Sequence, residues 1–221
     1  MSALYASANG IRITAASLSI PFYGLWVADV TLATSQLLAA PVVLTMGNLT
    51  LRGAVLRQRD FAGNTTARLV GGSGGWARPV TLAPYAKPQG VPLSLVLRDA
   101  AQACGESVAL ATDRSLGAFY VPGAGVPAGT ILRSLAGAEW YVDELGITQV
   151  RARASTPITT EAEVTHYAGG KGWLSVATED LASWQPGATF TGATVAVPFT
   201  VAASRIMAEN DGTLRLEVLT T

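Results

Sequence analysis

Two sets of residues in this sequence have the types that chemistry or ligand binding would use. Gly71-Gly72-Ser73-Gly74-Gly75 satisfies G-x-S-x-G, with His166 downstream and Asp99, Asp113 and Asp143 between, the chain order of an α/β-hydrolase triad. A nucleophile elbow needs a strand before the serine and a helix opening directly behind it. Here Trp76-Ala77-Arg78-Pro79 follows, which reads as extended or looped, and no alternating βα pattern elsewhere builds a parallel sheet. Ser73 is therefore read as part of a glycine bend. The same glycines lack the Gly-Lys-Ser/Thr ending of a phosphate loop, and no G-x-G-x-x-G opens a helix. His166, the one histidine, sits between Thr165 and Tyr167 in a strand-like stretch, and no spacing gathers metal ligands around it. The second set is aromatic. Of the five tryptophans, Trp173 and Trp184 lie in the less regular segments and are expected to be exposed, which leaves a sugar-stacking alternative open. Cys104, the one cysteine, excludes an internal disulfide and any cysteine-rich zinc site. The sequence accordingly assigns no catalytic, cofactor-binding or metal site, and the chain is read as a non-enzyme.

Composition points to association instead. The 221 residues carry 15 basic and 15 acidic side chains, a net charge of zero, and charged residues make up 14% of the chain. A typical soluble domain holds roughly 25%. Between Met1 and Thr50 only Arg12 and Asp29 ionise. A surface so poor in charge favours burial against other protein, and the zero balance removes the electrostatic case for nucleic acid or an anionic membrane as principal partner. Hydrophobic content of 49% supplies ample core. The mean hydropathy of +0.34 does not mark a membrane span, because the longest apolar run, Leu37 to Leu44, is short and broken by Pro41. No basic stretch precedes an apolar one at the start, so no secretory signal is expected.

The elements that would position these residues divide in three. Up to residue 80 the pattern is a meander of short strands. Val42–Met46 and Leu49–Leu51 flank Gly47-Asn48, and residues 54–59 and 65–70 flank Gly63-Asn64, both tight-hairpin signals. The stretch from Leu25 to Leu32 adds a strand rich in β-branched and aromatic residues. The turn reading also accounts for Asn48 and Asn64, which otherwise match glycosylation triplets. Residues 81–152 read as a compact α+β unit. One helix runs from Pro92 to Gly105 on a stripe of Val96, Leu97, Ala100, Ala101 and Cys104. A strand spans Ser107 to Thr112, and a second helix from Pro127 to Gly137 uses Ile131, Leu132 and Leu135. Trp140–Val142 and Ile147–Val150 then pair. From residue 153 β structure returns. Val195, Val197, Phe199 and Val201 alternate around Pro198 as an edge strand, and Leu214, Leu216 and Val218 alternate after the Asn210-Asp211-Gly212 turn. The expected fold is mainly β, with two small β-barrel-like domains (1–80 and 153–221) flanking an α+β insert (81–152). Pieces of this size have marginal cores on their own, so contacts between pieces or subunits must add stability.

Four stretches in this order resemble the baseplate hub proteins of phage tails, the Mu-like and contractile-tail group. They are Leu25-Trp26-Val27-Ala28-Asp29-Val30; the run Arg68 to Trp76; Leu95 to Ala101 followed by Gly137 to Asp143; and Gln185-Pro186-Gly187 through Asp211 to Val218. The resemblance implies a homotrimeric ring in the virion tail, assembled in the host cytoplasm, that adapts a sixfold tail tube to a threefold spike or tip. It implies tube and spike proteins as partners, no cofactor, no membrane insertion and no specific nucleic-acid binding. No spike or lysozyme portion is read in the sequence. The alternatives are another β-rich assembly protein, such as a distal-tail adaptor or capsid-associated factor, and a carbohydrate-binding or hydrolytic module acting at the cell envelope.

Overall fold

A computed structural model describes residues 6–160, 162–168, 172–191, 198–211 and 213–220. The chain forms two compact units, one of Met1–Gly71 with Arg153–Thr221 and the other of Gly72–Ala152.

The first unit opens with β1 (Ala6–Ala8), β2 (Ile11–Pro21), β3 (Val27–Leu32), β4 (Val42–Met46), β5 (Leu49–Phe61) and β6 (Asn64–Gly71). Alternation decides which way each strand faces. In β3, Ala28, Val30 and Leu32 are buried while Asp29 is exposed, and the same period runs through β2 and β4. The strands pair in the order β1-β4-β5-β6-β3-β2, and β1 also pairs with β2, closing a six-stranded barrel. Leu18, Leu32, Leu44, Met46, Leu49, Leu69 and Trp26 fill it. Each such side chain contributes about 1.5–3 kcal/mol by leaving water. Gly53 lies beneath Trp26, where a Cβ would stand 2.6 Å from the indole Cη2, so the barrel has room for that ring only over a glycine.

Tight turns set the registers. Gly47-Asn48 joins β4 to β5 as the sequence predicts, with Met46 opposite Leu49. The β5–β6 turn falls one residue earlier than expected. Phe61 faces Asn64, so Ala62 and Gly63 form the turn, both at positive φ, and Asn64 belongs to the strand. Asn9-Gly10, also at positive φ, turns β1 into β2. Asn9 then ties the barrel's closing strand down: its Nδ2 donates to the Ala39 carbonyl at 2.9 Å and its Oδ1 accepts from the Val43 amide at 2.8 Å.

The second unit holds β7 (Pro79–Val80), β8 (Tyr85–Ala86), α1 (Leu93–Cys104), β9 (Val108–Leu110), β10 (Phe119–Tyr120), β11 (Val126–Pro127), α2 (Ala128–Ala136), β12 (Trp140–Val142) and β13 (Thr148–Val150). Pro92 precedes α1, and Gly105 ends it in the left-handed conformation, as the sequence indicates. The apolar stripes of both helices are buried as expected. The Trp140–Val142 hairpin forms, and β9 adds to it in parallel beside β13.

After the insert, the first unit resumes with β14 (Thr156–Pro157), β15 (Glu163–Ala168), β16 (Trp173–Ala177), a 3-10 turn Leu181–Trp184, β17 (Ala188–Phe190), β18 (Phe199–Ala208) and β19 (Leu214–Thr220). Their order is β14-β17-β18-β19-β16-β15. Taken in chain order, these six strands repeat the connectivity of the first six. The copies differ at one end: β1–β4 is antiparallel and β14–β17 parallel, and among the described residues no β14–β15 pair matches the β1–β2 closure. The copies are joined by β2 and β18, antiparallel from Ala16↔Ala208 to Pro21↔Ala203.

The fold is thus mainly β with a small α+β insert. Two placements differ from the sequence reading. The boundaries drawn at 80 and 152 separate three pieces, whereas the β segments on either side of the insert share one sheet through β2 and β18, and the insert begins at Gly72. The strand expected across Val195 to Val201 falls partly outside the described residues. What is described starts at Phe199, after Pro198, and runs to Ala208 in the interior of the sheet, with β2 and β19 on its two sides. Its pairing with β2 is long-range, which alternation within residues 195–201 could not reveal. Gly212 of the expected Asn210 turn also lies outside the described residues.

Candidate interaction surface

The residues that could have formed a hydrolytic triad have other work. Ser73 is exposed in the glycine turn, and its amide donates to Glu106 Oε2 at 2.9 Å, while the Gly75 amide donates to Oε1 at 2.6 Å. Glu106 is buried, and it is this carboxylate that shapes the loop. A Cβ on Gly72 would stand 2.6 Å from Oε2, and one on Gly75 would run into the Cys104 carbonyl. The glycines are therefore packed around an acceptor, which the G-x-S-x-G pattern does not disclose. Asp99 accepts from the Tyr85 hydroxyl at 2.7 Å; burial, then this bond, pushes the phenol well above its ordinary range. Asp113 caps α1, accepting from the Ser94 amide at 2.9 Å and from the Ser94 hydroxyl, and these bonds hold its carboxyl below the usual range. Asp143 organises the β12–β13 turn, accepting from the amides of Leu145 at 3.0 Å and Ile147 at 2.8 Å. His166 lies exposed on β15, in the other unit from Ser73. Cys104 is buried on the α1 stripe, and burial pushes its thiol up, away from the thiolate that reactivity needs. Among the described residues, no group of three or more His, Cys, Asp or Glu side chains is placed to hold a metal ion.

The tryptophans divide differently from the expectation. Trp173 is half-buried, but Trp184 is wholly enclosed, its ring centroid 5.1 Å from that of Phe190, which in turn lies 5.5 Å from Phe199. The cause is the 3-10 turn. Asp180 caps it by accepting from the Ser183 amide and hydroxyl, and these bonds hold its carboxyl below the usual range. The Trp184 carbonyl accepts from the Ser204 hydroxyl, which fixes the turn against β18. Asn48 of the barrel's first predicted hairpin reaches the same turn, donating to Asp180 at 2.7 Å and accepting from the Ala182 amide at 3.1 Å. A segment that looks irregular in sequence is thus anchored from both strand sets.

What remains is a surface. Register places Arg57, Arg68, Asp29, Ser17, Met207 and Arg215 in one row across β5, β6, β3, β2, β18 and β19. A second row sets Arg59, Thr66, Thr31 and Ala15 alongside. Arg57, Arg68, Asp29 and Ser17 of the first row and all of the second line an open trough of about 660 Å³. Arg68 Nη1 lies 3.8 Å from Asp29 Oδ1, both partly exposed, and Arg57 and Arg59 make no ion pair among the described residues. The trough is open, and its lining mixes the charged Asp29, Arg57, Arg59 and Arg68 with Ala15, Ala16, Val30 and Ala67.

No family model and no curated protein matches the sequence. Solved structures do. A tail protein of Neisseria meningitidis MC58 aligns over 99% of this chain and 96% of its own at 12% identity, with a TM-score of 0.62. The 43 kDa tail protein of prophage MuSo2 from Shewanella oneidensis aligns over 99% and 96% at 11% identity, with a TM-score of 0.63. The chain shares their fold. It also aligns, over 97% of its length and 76% of the other chain, with the E. coli protein c3393 at 12% identity and a TM-score of 0.63; that protein is described as a type VI secretion component structurally similar to phage T4 tail proteins gp27 and gp5. This tail-protein fold runs through both units of the chain, insert included. No helix among the described residues is long and apolar enough to cross a membrane.

Proposed function

We propose that the chain is a structural hub of a phage tail baseplate, whose copies form a ring adapting a sixfold tail tube to a threefold spike or tip. The observation that carries this reading is the repeated six-strand topology within a fold shared along nearly the whole chain with phage tail proteins. Three chains carrying two strand sets each present six similar sets around an axis, which reconciles the two symmetries. The scarcity of charge supports the same reading, since closed cyclic assembly buries such surface without open-ended growth. The role is mechanical: ring, conduit wall and starting point for the tube, located in the virion tail after assembly in the host cytoplasm. Its partners are further copies of itself and the tube and spike proteins, and it has no catalytic step. Mass in solution together with images of the purified particle tests this. A trimeric ring with a central hole is expected, and a stable monomer at micromolar concentration that never enters a virion refutes it.

A further inference from the structure

The two strand sets repeat each other in pairing, down to the bulges: at Thr14 in β2 and Thr165 in β15, and at Leu56 in β5 and Ala202 in β18. In charge they are opposite. Residues 1–71 hold five arginines and two aspartates, a net side-chain charge of +3. Residues 153–221 hold four basic and seven acidic side chains, a net of −3, and the insert between them holds six of each sign. The zero total of the chain thus conceals a positive and a negative half within one compact unit.

The positive excess gathers in the trough. Arg57 stands directly opposite Arg68 across β5 and β6, Arg68 stands opposite Asp29 across β6 and β3, and Arg59 lines the trough one row on. Like charges set opposite each other on a sheet destabilise it. Protection of the β5 edge accounts for charge on β5, but not for Arg68, which faces it from the interior strand β6. One carboxylate among three guanidinia leaves two positive charges unmatched, beside the hydroxyls of Thr31 and Thr66. Such a face accepts further carboxylates, which a guanidinium holds through paired N–H donors.

Unmatched carboxylates lie in the other half. Glu163 opens β15 opposite Ala177, the last residue of β16, and Glu179 follows two residues later. Both therefore stand at the same end of that strand pair, exposed and without an ion pair among the described residues. They are far from the trough of their own copy. Asp180, next to Glu179, is bonded to Asn48 at the start of β5, and Arg57 lies nine positions further along the chain. At about 3.3 Å per residue, with one residue taken up by the bulge, that is roughly 25 Å of strand.

We propose that the trough takes Glu163 and Glu179 of a second copy of this chain, positive half against negative half. A second copy is favoured over a foreign anion because the excess on one half equals the deficit on the other. The two surfaces are different, so the contact is head-to-tail, the kind that generates a ring when its rotation closes. The inference rests on the ring assembly proposed above and supplies its contact.

Charge reversal tests it. Arg57→Glu/Arg59→Glu and, separately, Glu163→Arg/Glu179→Arg change exposed positions, and each is checked for retained fold by circular dichroism. Self-association is followed by analytical ultracentrifugation. Each pair is expected to weaken it at least tenfold. All four reversals in one chain are expected to bring it back to within about threefold of wild type, since every joint again sets opposite charges together. Lys87→Glu/Arg98→Glu, the same change of charge at exposed positions of the insert, is expected to leave it unchanged. Reversals that act no more strongly than this control, or that weaken association without recovery in the fourfold chain, overturn this contact and leave the hub reading standing. So does a DNA duplex that binds wild type and is lost by Arg57→Glu/Arg59→Glu while self-association is unmoved. A wild-type chain that stays monomeric overturns both.

Discussion

Replacing Glu106 should separate a structural glycine loop from a catalytic one. Its two carboxylate oxygens accept from the Ser73 and Gly75 amides at 2.9 and 2.6 Å, in a site that excludes most water. Glu106→Gln keeps one acceptor oxygen and turns an NH₂ toward the other amide. One charge-assisted bond is lost and one donor is left facing a donor, a cost of about 2 kcal/mol. Glu106→Ala strands both amides and costs about 4 kcal/mol on the same scale. The loss is local to the insert, so amide hydrogen exchange read by mass spectrometry is the suitable assay. A cost of about 2 kcal/mol lowers protection roughly thirtyfold in peptides covering 72–110, since about 1.4 kcal/mol is a factor of ten. Ser73→Ala should leave the same peptides within twofold of wild type, because the serine contributes its amide and that amide is retained. Equal protection in wild type and Glu106→Gln would refute the idea that this carboxylate builds the loop. A protection loss in Ser73→Ala matching that of Glu106→Gln would show that the hydroxyl carries weight the hydrogen bonds do not assign to it.

Two other outcomes follow from the 3-10 turn. Asp180 is held below its ordinary pKa first by the Ser183 hydroxyl, with the Asn48 amide adding to it, so its stabilisation is present above the unfolded value and fades as pH falls through the lower folded one. Melting temperature against pH should therefore show wild type above Asp180→Asn at neutral pH and the two curves converging below the unfolded carboxylate range; parallel curves throughout would contradict it. Trp184→Ala, removing an enclosed indole packed on Phe190, should cost about 3–5 kcal/mol in urea unfolding, against much less for half-buried Trp173, and equal costs would place Trp184 nearer the surface than the structure does.

Local structure was legible where local rules decide it. Both helices of the insert are delimited by the proline and glycine that bound their apolar stripes, and the Gly47-Asn48 hairpin forms in the register its flanking residues imply. The misplacements share a cause. Gly63-Asn64 and Ala62-Gly63 differ by one residue, and either turn keeps a plausible pattern along the strands; the bulge at Leu56 shifts the β5 register by one and is invisible to periodicity. Trp184 reads as exposed because a 3-10 turn has no apolar period, and its burial depends on Asn48 and Ser204, far away in sequence. Glu106 went unnoticed for the same reason: a single carboxylate after a helix has no motif, and only its distance from two loop amides gives it a role. The recurrence of the six-strand order could not be seen either. Equivalent positions such as Thr14 and Thr165 agree in chemistry, but Arg57 and Ala203 do not, and what is repeated is pairing and bulge position more than residue identity.

How the sheet edges are managed explains why thin charge is tolerable in a β-rich chain. A closed barrel removes edges, and the first strand set closes on itself through β1 and β2. Beyond Gly53, β5 outruns β4, and this surplus carries Arg57, Arg59 and Asp60 beside the exposed Leu56 and Phe61, the charge with which natural proteins blunt such an edge. The equivalent stretch of β18, from Ala203 to Ala208, is covered by β2. Arg57 and Arg59 of that surplus stand with Arg68 on the lining of the open trough. Charge, scarce elsewhere in the chain, is thus concentrated where the barrel leaves a strand uncovered.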